Sequence, residues 1–189
     1  MAKEAEIVAI INTSLSAQFS AARFQKGSID GIAELIRTST GEIKPSIVDS
    51  YGEARTLVVD DTKPFQIYHR LTGSQFEQTE EGFGDVNHIT QTSELILIVI
   101  GDKTRLQLEK ENIIAGIASG FPLQLTKDQL NTLSLTSCDL VPGTFNVNRE
   151  IVWQNEYNTD FKLKPGYFMF SFAYSIVTTF KQSCFAICE

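Results

Sequence analysis

Pro64-Phe65-Gln66-Ile67-Tyr68-His69-Arg70-Leu71 and, further on, Leu95-Ile96-Leu97-Ile98-Val99-Ile100 are the runs on which the fold turns. The first alternates: Phe65, Ile67, His69 and Leu71 fall on one face of a strand, and Gln66, Tyr68 and Arg70 on the other. The second has no polar face, which places it at the centre of a sheet and under cover on both sides. A polar, acidic interval separates them. After them, Leu106 to Ser119 reads as a helix that turns Ile113, Ile114 and Ile117 inward and ends before Gly120-Phe121-Pro122. This is a scaffold carrying a long loop, and it points toward assembly rather than catalysis.

Upstream, Ile7, Val8, Ile11, Leu15, Phe19 and Ala22 recur at spacings that share one helical face. Gly27 is the expected end of that helix, with Lys26 near its C-terminal dipole. Three strand-length runs follow, Gly31 to Arg37, Glu42 to Val48 and Ala54 to Asp60, separated by Gly-containing turns. They read as a β-meander inserted at 27–61. A short helix capped by Asp30 is the rival reading, but Gly41 sits where a tight hairpin needs positive φ.

Downstream, a single helical turn is expected after Thr126 and a strand over Phe145 to Trp153. From Tyr167 to Phe180, Phe168, Phe170, Phe172, Tyr174 and Ile176 share one strand face, the floor of a hydrophobic core. The expected fold is α+β: one domain spanning 1–189, with a mostly antiparallel β-sheet covered by an N-terminal and a central helix.

At 189 residues the chain suffices for one domain, burying on the order of 70% of its unfolded surface. Its net charge of −7 is spread along the sequence, a surface that repels nucleic acid and anionic membranes. The opening residues, with Lys3, Glu4 and Glu6, do not resemble a secretory leader, and the longest apolar run falls far short of the ~20 residues of a membrane helix. Three cysteines, Cys138, Cys184 and Cys188, make an odd, sparse set that suits a reducing cytoplasm.

Residues with chemical potential do not form a constellation. His69 lies on the apolar face of its strand, as a satisfied core or interface histidine would, and His88 lies in the polar interval. Neither has a partner at metal-ligand spacing, so no metal, cofactor or catalytic residue is expected. Gly82-Phe83-Gly84-Asp85 lacks the lysine and hydroxyl residue of a phosphate-binding loop. Asp60-Asp61 and Glu80-Glu81 are adjacent pairs, which on a strand point to opposite faces and cannot share acid–base work.

The interval from Thr72 to Gln91, about twenty residues, exceeds the ~12–15 usual for a structureless loop, and such loops tend to be functional. It sets Phe76 and Phe83 among Glu77, Glu80, Glu81 and Asp85, a docking composition. These six, with Tyr68 and Arg70 of the preceding strand, are the interface candidates. The plain alternative is a hairpin tip with no role.

The order of parts resembles the tail-terminator (tail-completion) proteins in the neck of long-tailed bacteriophages. The matching residues are Pro64 to Arg70, Ser93 to Ile100, the helix through Ile113 to Ile117, and Phe168 to Ile176. The resemblance covers the region after Thr62, and the insertion between Gly27 and Asp61 departs from the small members of the family. It implies a virion protein assembled in the host cytoplasm, a homo-oligomeric six-membered ring that caps the tail tube. Its implied partners are the tail-tube protein and the head-completion protein, with DNA passing through the lumen without specific binding and no membrane. Other readings are another head–tail connector or tube-associated protein, a small-ligand-binding α+β domain, and an enzyme completed by another chain.

Overall fold

The computed structural model describes residues 2–19, 27–37, 39–41, 43–48, 54–56, 62–80, 87–102, 110–119, 133–147 and 165–181. In chain order the elements are α1 (Ala2–Gln18), β1 (Ser28–Ile32), β2 (Glu34–Arg37), β3 (Ile43–Val48), β4 (Ala54–Thr56), β5 (Phe65–Glu80), β6 (Asn87–Asp102), α2 (Lys110–Ser119), β7 (Leu135–Leu140) and β8 (Tyr167–Lys181). The fold is α+β, with a curled, mostly antiparallel sheet. Among the described residues no helix is long and apolar enough to cross a membrane.

The main sheet has five strands in the order β1-β5-β6-β8-β7. β6 is its centre, because an apolar run without a polar face is stable only with neighbours on both edges and cover on both faces. Leu95, Leu97 and Val99 point to one side, into a core closed by Ile7, Val8, Ile11 and Leu15 of α1 and Ile113 and Ile117 of α2. Ile98 and Ile100 point to the other, into a smaller cluster with Tyr68, Tyr167 and Met169, against which Ile47 of β3 packs. The expected aromatic row of β8 is core floor: Phe168, Phe170, Phe172, Tyr174 and Ile176 all belong to the helix-side cluster.

The meander is present as a separate three-stranded sheet, β2-β3-β4, with Gly41 at φ 86° between β2 and β3. The expected first strand, Gly31 to Arg37, is divided. Its start belongs to β1, which runs parallel to β5, with Ser28 opposite Gln66 and Ile29 opposite Ile67. The Ala33 amide donates to the His69 carbonyl at 2.7 Å, after which the chain leaves β5 for the meander. Periodicity alone cannot register such a change of sheet, since both halves are extended.

The larger correction concerns the interval from Thr72 to Gln91. It is mostly strand: β5 and β6 are 16 residues each and pair antiparallel from Phe65–Gly101 out to Glu80–Asn87. Polar threonine, serine and glutamine residues hide such strands, because neither face of the outer ribbon needs to be apolar. β7 was also not anticipated. Of the strand expected over Phe145 to Trp153, Asn146 bridges Ser171, and the part after Val147 lies outside the described residues, as do the helical turn after Thr126 and the segment from Leu106 to Glu109. α1 ends at Gln18, with the Phe19 amide donating to the Leu15 carbonyl, well short of the end expected at Gly27; Ala22 and Lys26 lie outside the described residues.

Glycine sets the aromatic packing at two places. Gly101 lies opposite both Phe65 and Phe168, and the Phe168 ring covers it where a Cβ would stand. A Cβ on Gly116 of α2 would come within 2.8 Å of the Phe19 ring, so this glycine lets α1 and α2 approach.

Phe170 is wholly buried, whereas Phe76 is 66% exposed. Phe170→Ala should therefore cost ~3–5 kcal/mol in urea unfolding. Phe76→Ala should stay within about 0.5 kcal/mol of the parent. A loss under about 1 kcal/mol at Phe170 would mean that the aromatic face is not core.

Candidate functional site

The outer half of the β5–β6 hairpin forms an arm that continues the sheet, with β8 paired along β6 as far as His88–Lys181. A bulge at its base determines what the arm displays. Leu71 pairs with Leu95 and Gly73 with Glu94, so Thr72 is an extra residue, and its hydroxyl donates to the Glu94 carbonyl at 3.0 Å. The bulge reverses the alternation. Ser74 and Phe76 now pair with Ser93 and Gln91, the residues that contact α1, so Phe76 shares the helix-side face, while Glu77 shares the other face.

β1 pairs with β5 only as far as His69. Among the described residues, nothing pairs with β5 outward of Leu71 on the side away from β6. Alternate N–H and C=O groups of that edge point away from β6, a template for another strand.

The predicted interface residues are separated by this geometry. Phe76 and Glu77 are exposed on the arm. Arg70 is half-buried at its base. Tyr68 is a correction: it is buried in the cluster on the far side of the sheet, where an apolar ring beside Ile98 and Ile100 is better packed than displayed. Glu80 ends β5, while Glu81, Phe83 and Asp85 lie outside the described residues.

Beneath the base of the arm runs a buried polar chain that sequence reading did not assemble. His69 is fully buried. The Tyr174 hydroxyl donates to His69 Nδ1 at 2.8 Å, and His69 Nε2–H donates to Asn12 Oδ1 at 2.8 Å. Asn12 Nδ2 in turn donates to the Asp30 carbonyl at 3.0 Å, which fixes the amide orientation and hence the imidazole tautomer. The Asp30 carboxylate pairs with Arg55 at 2.7 Å. Burial alone pushes the His69 pKa down to about 3, so the ring is neutral. Tyr174 is likewise held protonated, its pKa raised by burial and by the neighbouring Cys138. Burial, with Asp139 adding to it, raises the Cys138 thiol to about 12, which leaves no nucleophilic thiolate at neutral pH.

A second polar lock lies near the start of α1. The buried Glu4 carboxylate accepts from Gln91 Nε2 at 2.7 Å and Ser93 Oγ at 3.0 Å, and Lys3 sits 4.1 Å from the centre of the Phe180 ring. α1 thus crosses the sheet from β8, over β6, to β5 and β1.

Each member of the polar chain had a sequence signal, since Asn12, His69 and Tyr174 are polar residues set in apolar rows and a buried polar atom needs a partner. Which partner each finds is not local information: the pairs lie 57 and 105 residues apart. Among the described residues, no group of three His, Cys, Asp or Glu converges as a metal site would require. No family model matches the sequence, and no curated protein matches it.

The ring of His69 should show the Nε2–H tautomer, neutral from pH 8 to 5, in nitrogen-detected NMR. Unfolding returns the ring to about 6.5, so its burial stabilises the fold fully above that pH, and the contribution is lost between 6.5 and 3. The parent should lose about 2 kcal/mol relative to His69→Gln between pH 7.5 and 5 in urea titrations. Tyr174→Phe should cost ~1–3 kcal/mol, because it strands a buried acceptor nitrogen. A Tyr174→Phe variant as stable as the parent would remove the polar chain from the fold's energetics.

Proposed function

We propose that this protein is a structural, non-enzymatic ring subunit of the tail-terminator class in the neck of long-tailed bacteriophages. The observation that carries the reading is the outer β5 edge of the hairpin arm: outward of Leu71 it has no strand partner among the described residues and carries an exposed phenylalanine, while β8 backs β6 on the other side. In a closed ring each subunit must offer its neighbour a surface distinct from the one it receives, and an open strand edge gives the directional hydrogen bonds that fix such a contact. Phe76 supplies an apolar anchor and Glu77 a charge that steers approach.

The charge balance supports the same reading. Six copies at −7 would carry about −42, and an acidic bore lets DNA slide without sticking. On this reading the ring sits on the last ring of the tail-tube protein, presents its other side to the head-completion protein, and resides in the virion. The bulged base of the arm fits this use, since it re-aims side chains without unpairing the ribbon.

Multi-angle light scattering and negative-stain microscopy test the proposal. The parent should form a symmetric particle several times the 21.1 kDa chain mass. Replacing 77–90 with Asn-Gly keeps Phe76–Gln91 as the closing pair and leaves the Glu4 contacts intact. That variant should fold, with a melting temperature within a few degrees of the parent, yet remain monomeric. A monomeric parent at high concentration, or rings formed equally well without the arm, would overturn this reading.

A further inference from the structure

We propose that the buried Tyr174–His69–Asn12 chain is an acid-sensitive latch: it holds α1 on the sheet at neutral pH and releases it, with the sheet intact, when His69 takes up a proton. His69 stands at the contact between α1 and the sheet. The ring lies on the helix-side face of β5, and the residue that seals it toward α1, Asn12, belongs to α1 itself. Lifting α1 therefore opens the ring to water without breaking any strand pairing, because β5 keeps both its neighbours.

The groups around the ring give a proton no welcome while α1 is docked. β8 contributes the Tyr174 hydroxyl, with Cys138 of β7 close to it, and both are held in their neutral forms. β6 contributes Leu97, directly opposite His69, and α1 contributes the Asn12 amide. The nearest carboxylate along the chain, Asp30, reaches Asn12 through its backbone carbonyl and spends its side chain on Arg55. Lys3, Glu4 and Glu6 lie about two turns away along α1. Among the described residues no carboxylate meets the ring, so an imidazolium in this site would be a buried charge without a counter-charge. Protonation therefore selects the undocked state, in which the ring is solvated.

α1 is suited to act as the moving part. The described hydrogen bonds that hold it to β5 and β6 run through side chains, so its undocking is a local opening that leaves the strand ladders in place. Its second lock answers to pH in the same direction. Burial raises the Glu4 carboxyl, but hydrogen bonds from the N-terminal ammonium, its own backbone amide and Ser93, together with the ammonium's charge, outweigh that and hold it below the usual range. Its contribution is thus present above the ordinary carboxylate range and lost as pH falls. Release would uncover Ile7, Val8, Ile11 and Leu15 together with the sheet face beneath them.

The size of the effect follows from linkage. With an open-state value of about 6.5 and a docked value of about 3, lowering the pH to 4.5 favours the open state about 100-fold through His69 alone. Hydrogen exchange of the full chain at pH 7 and 4.5, corrected for intrinsic rates, reads this directly. Protection of α1 from Val8 to Gln18 should fall about 100-fold more in the parent than in His69→Gln, which keeps a donor and an acceptor but cannot titrate. Amides of Leu95 to Val99 should stay protected in both. Equal loss in the two proteins, retained α1 protection at pH 4.5, or simultaneous loss from α1 and β6 would each overturn the latch. If His69→Gln does not fold, the parent's ring nitrogens decide the matter. A ring that titrates near 6.5 while α1 stays protected rules the latch out, and one that takes up its proton only as α1 loses protection upholds it.

Discussion

The double ladder that β6 makes, with β5 along one edge and β8 along the other, is the constraint on which the rest of the molecule depends. Because β6 is apolar on both faces from Leu95 to Ile100, it must be covered twice, and the chain meets that demand in two ways. The helices close one face with a large aliphatic and aromatic core. The meander, inserted between β1 and β5, contributes Ile47 to the other. Fixing one central strand thereby determines which faces of β5 and β8 are interior and where every other element can lie.

The same ladder continues past the point where hydrophobic burial explains it. Outward of Leu71 the strands turn polar, and the pairing is carried by backbone hydrogen bonds and cross-strand contacts such as Ser74 with Ser93. β8 follows β6 along this stretch, whereas outward of Leu71 β5 has no strand partner on its other side among the described residues. Structures protect such edges when nothing is meant to pair with them.

Polar interactions in the interior serve a different end. The Tyr174–His69–Asn12 chain and the Glu4 contacts place hydrogen bonds at two points along a helix whose inward stripe is otherwise apolar. An apolar stripe alone tolerates sliding, because one aliphatic contact is much like another. Directional bonds at two separated points define both the position and the angle of α1. They also make the docking responsive to protons, which aliphatic packing is not.

Much of this was legible in the residues themselves. The α+β class, the central position of Leu95 to Ile100, the inward stripe of α1, the meander with its positive-φ Gly41 and the core role of the β8 aromatics all follow from periodicity and turn chemistry, which are local properties. The arm reads as a loop because its serines, threonines and glutamines carry no alternation, and strand pairing there is decided by the neighbouring strand rather than by side-chain pattern. The change of sheet at Ala33, the bulge at Thr72 that turns Phe76 toward the helix side, and the burial of Tyr68 were likewise beyond reach of the sequence. Sequence determined which segments must be buried and which faces they present. Tertiary structure alone decided which polar groups meet across the core, because a hydrogen bond between residues 105 positions apart is set by the register of whole strands and not by anything near either residue.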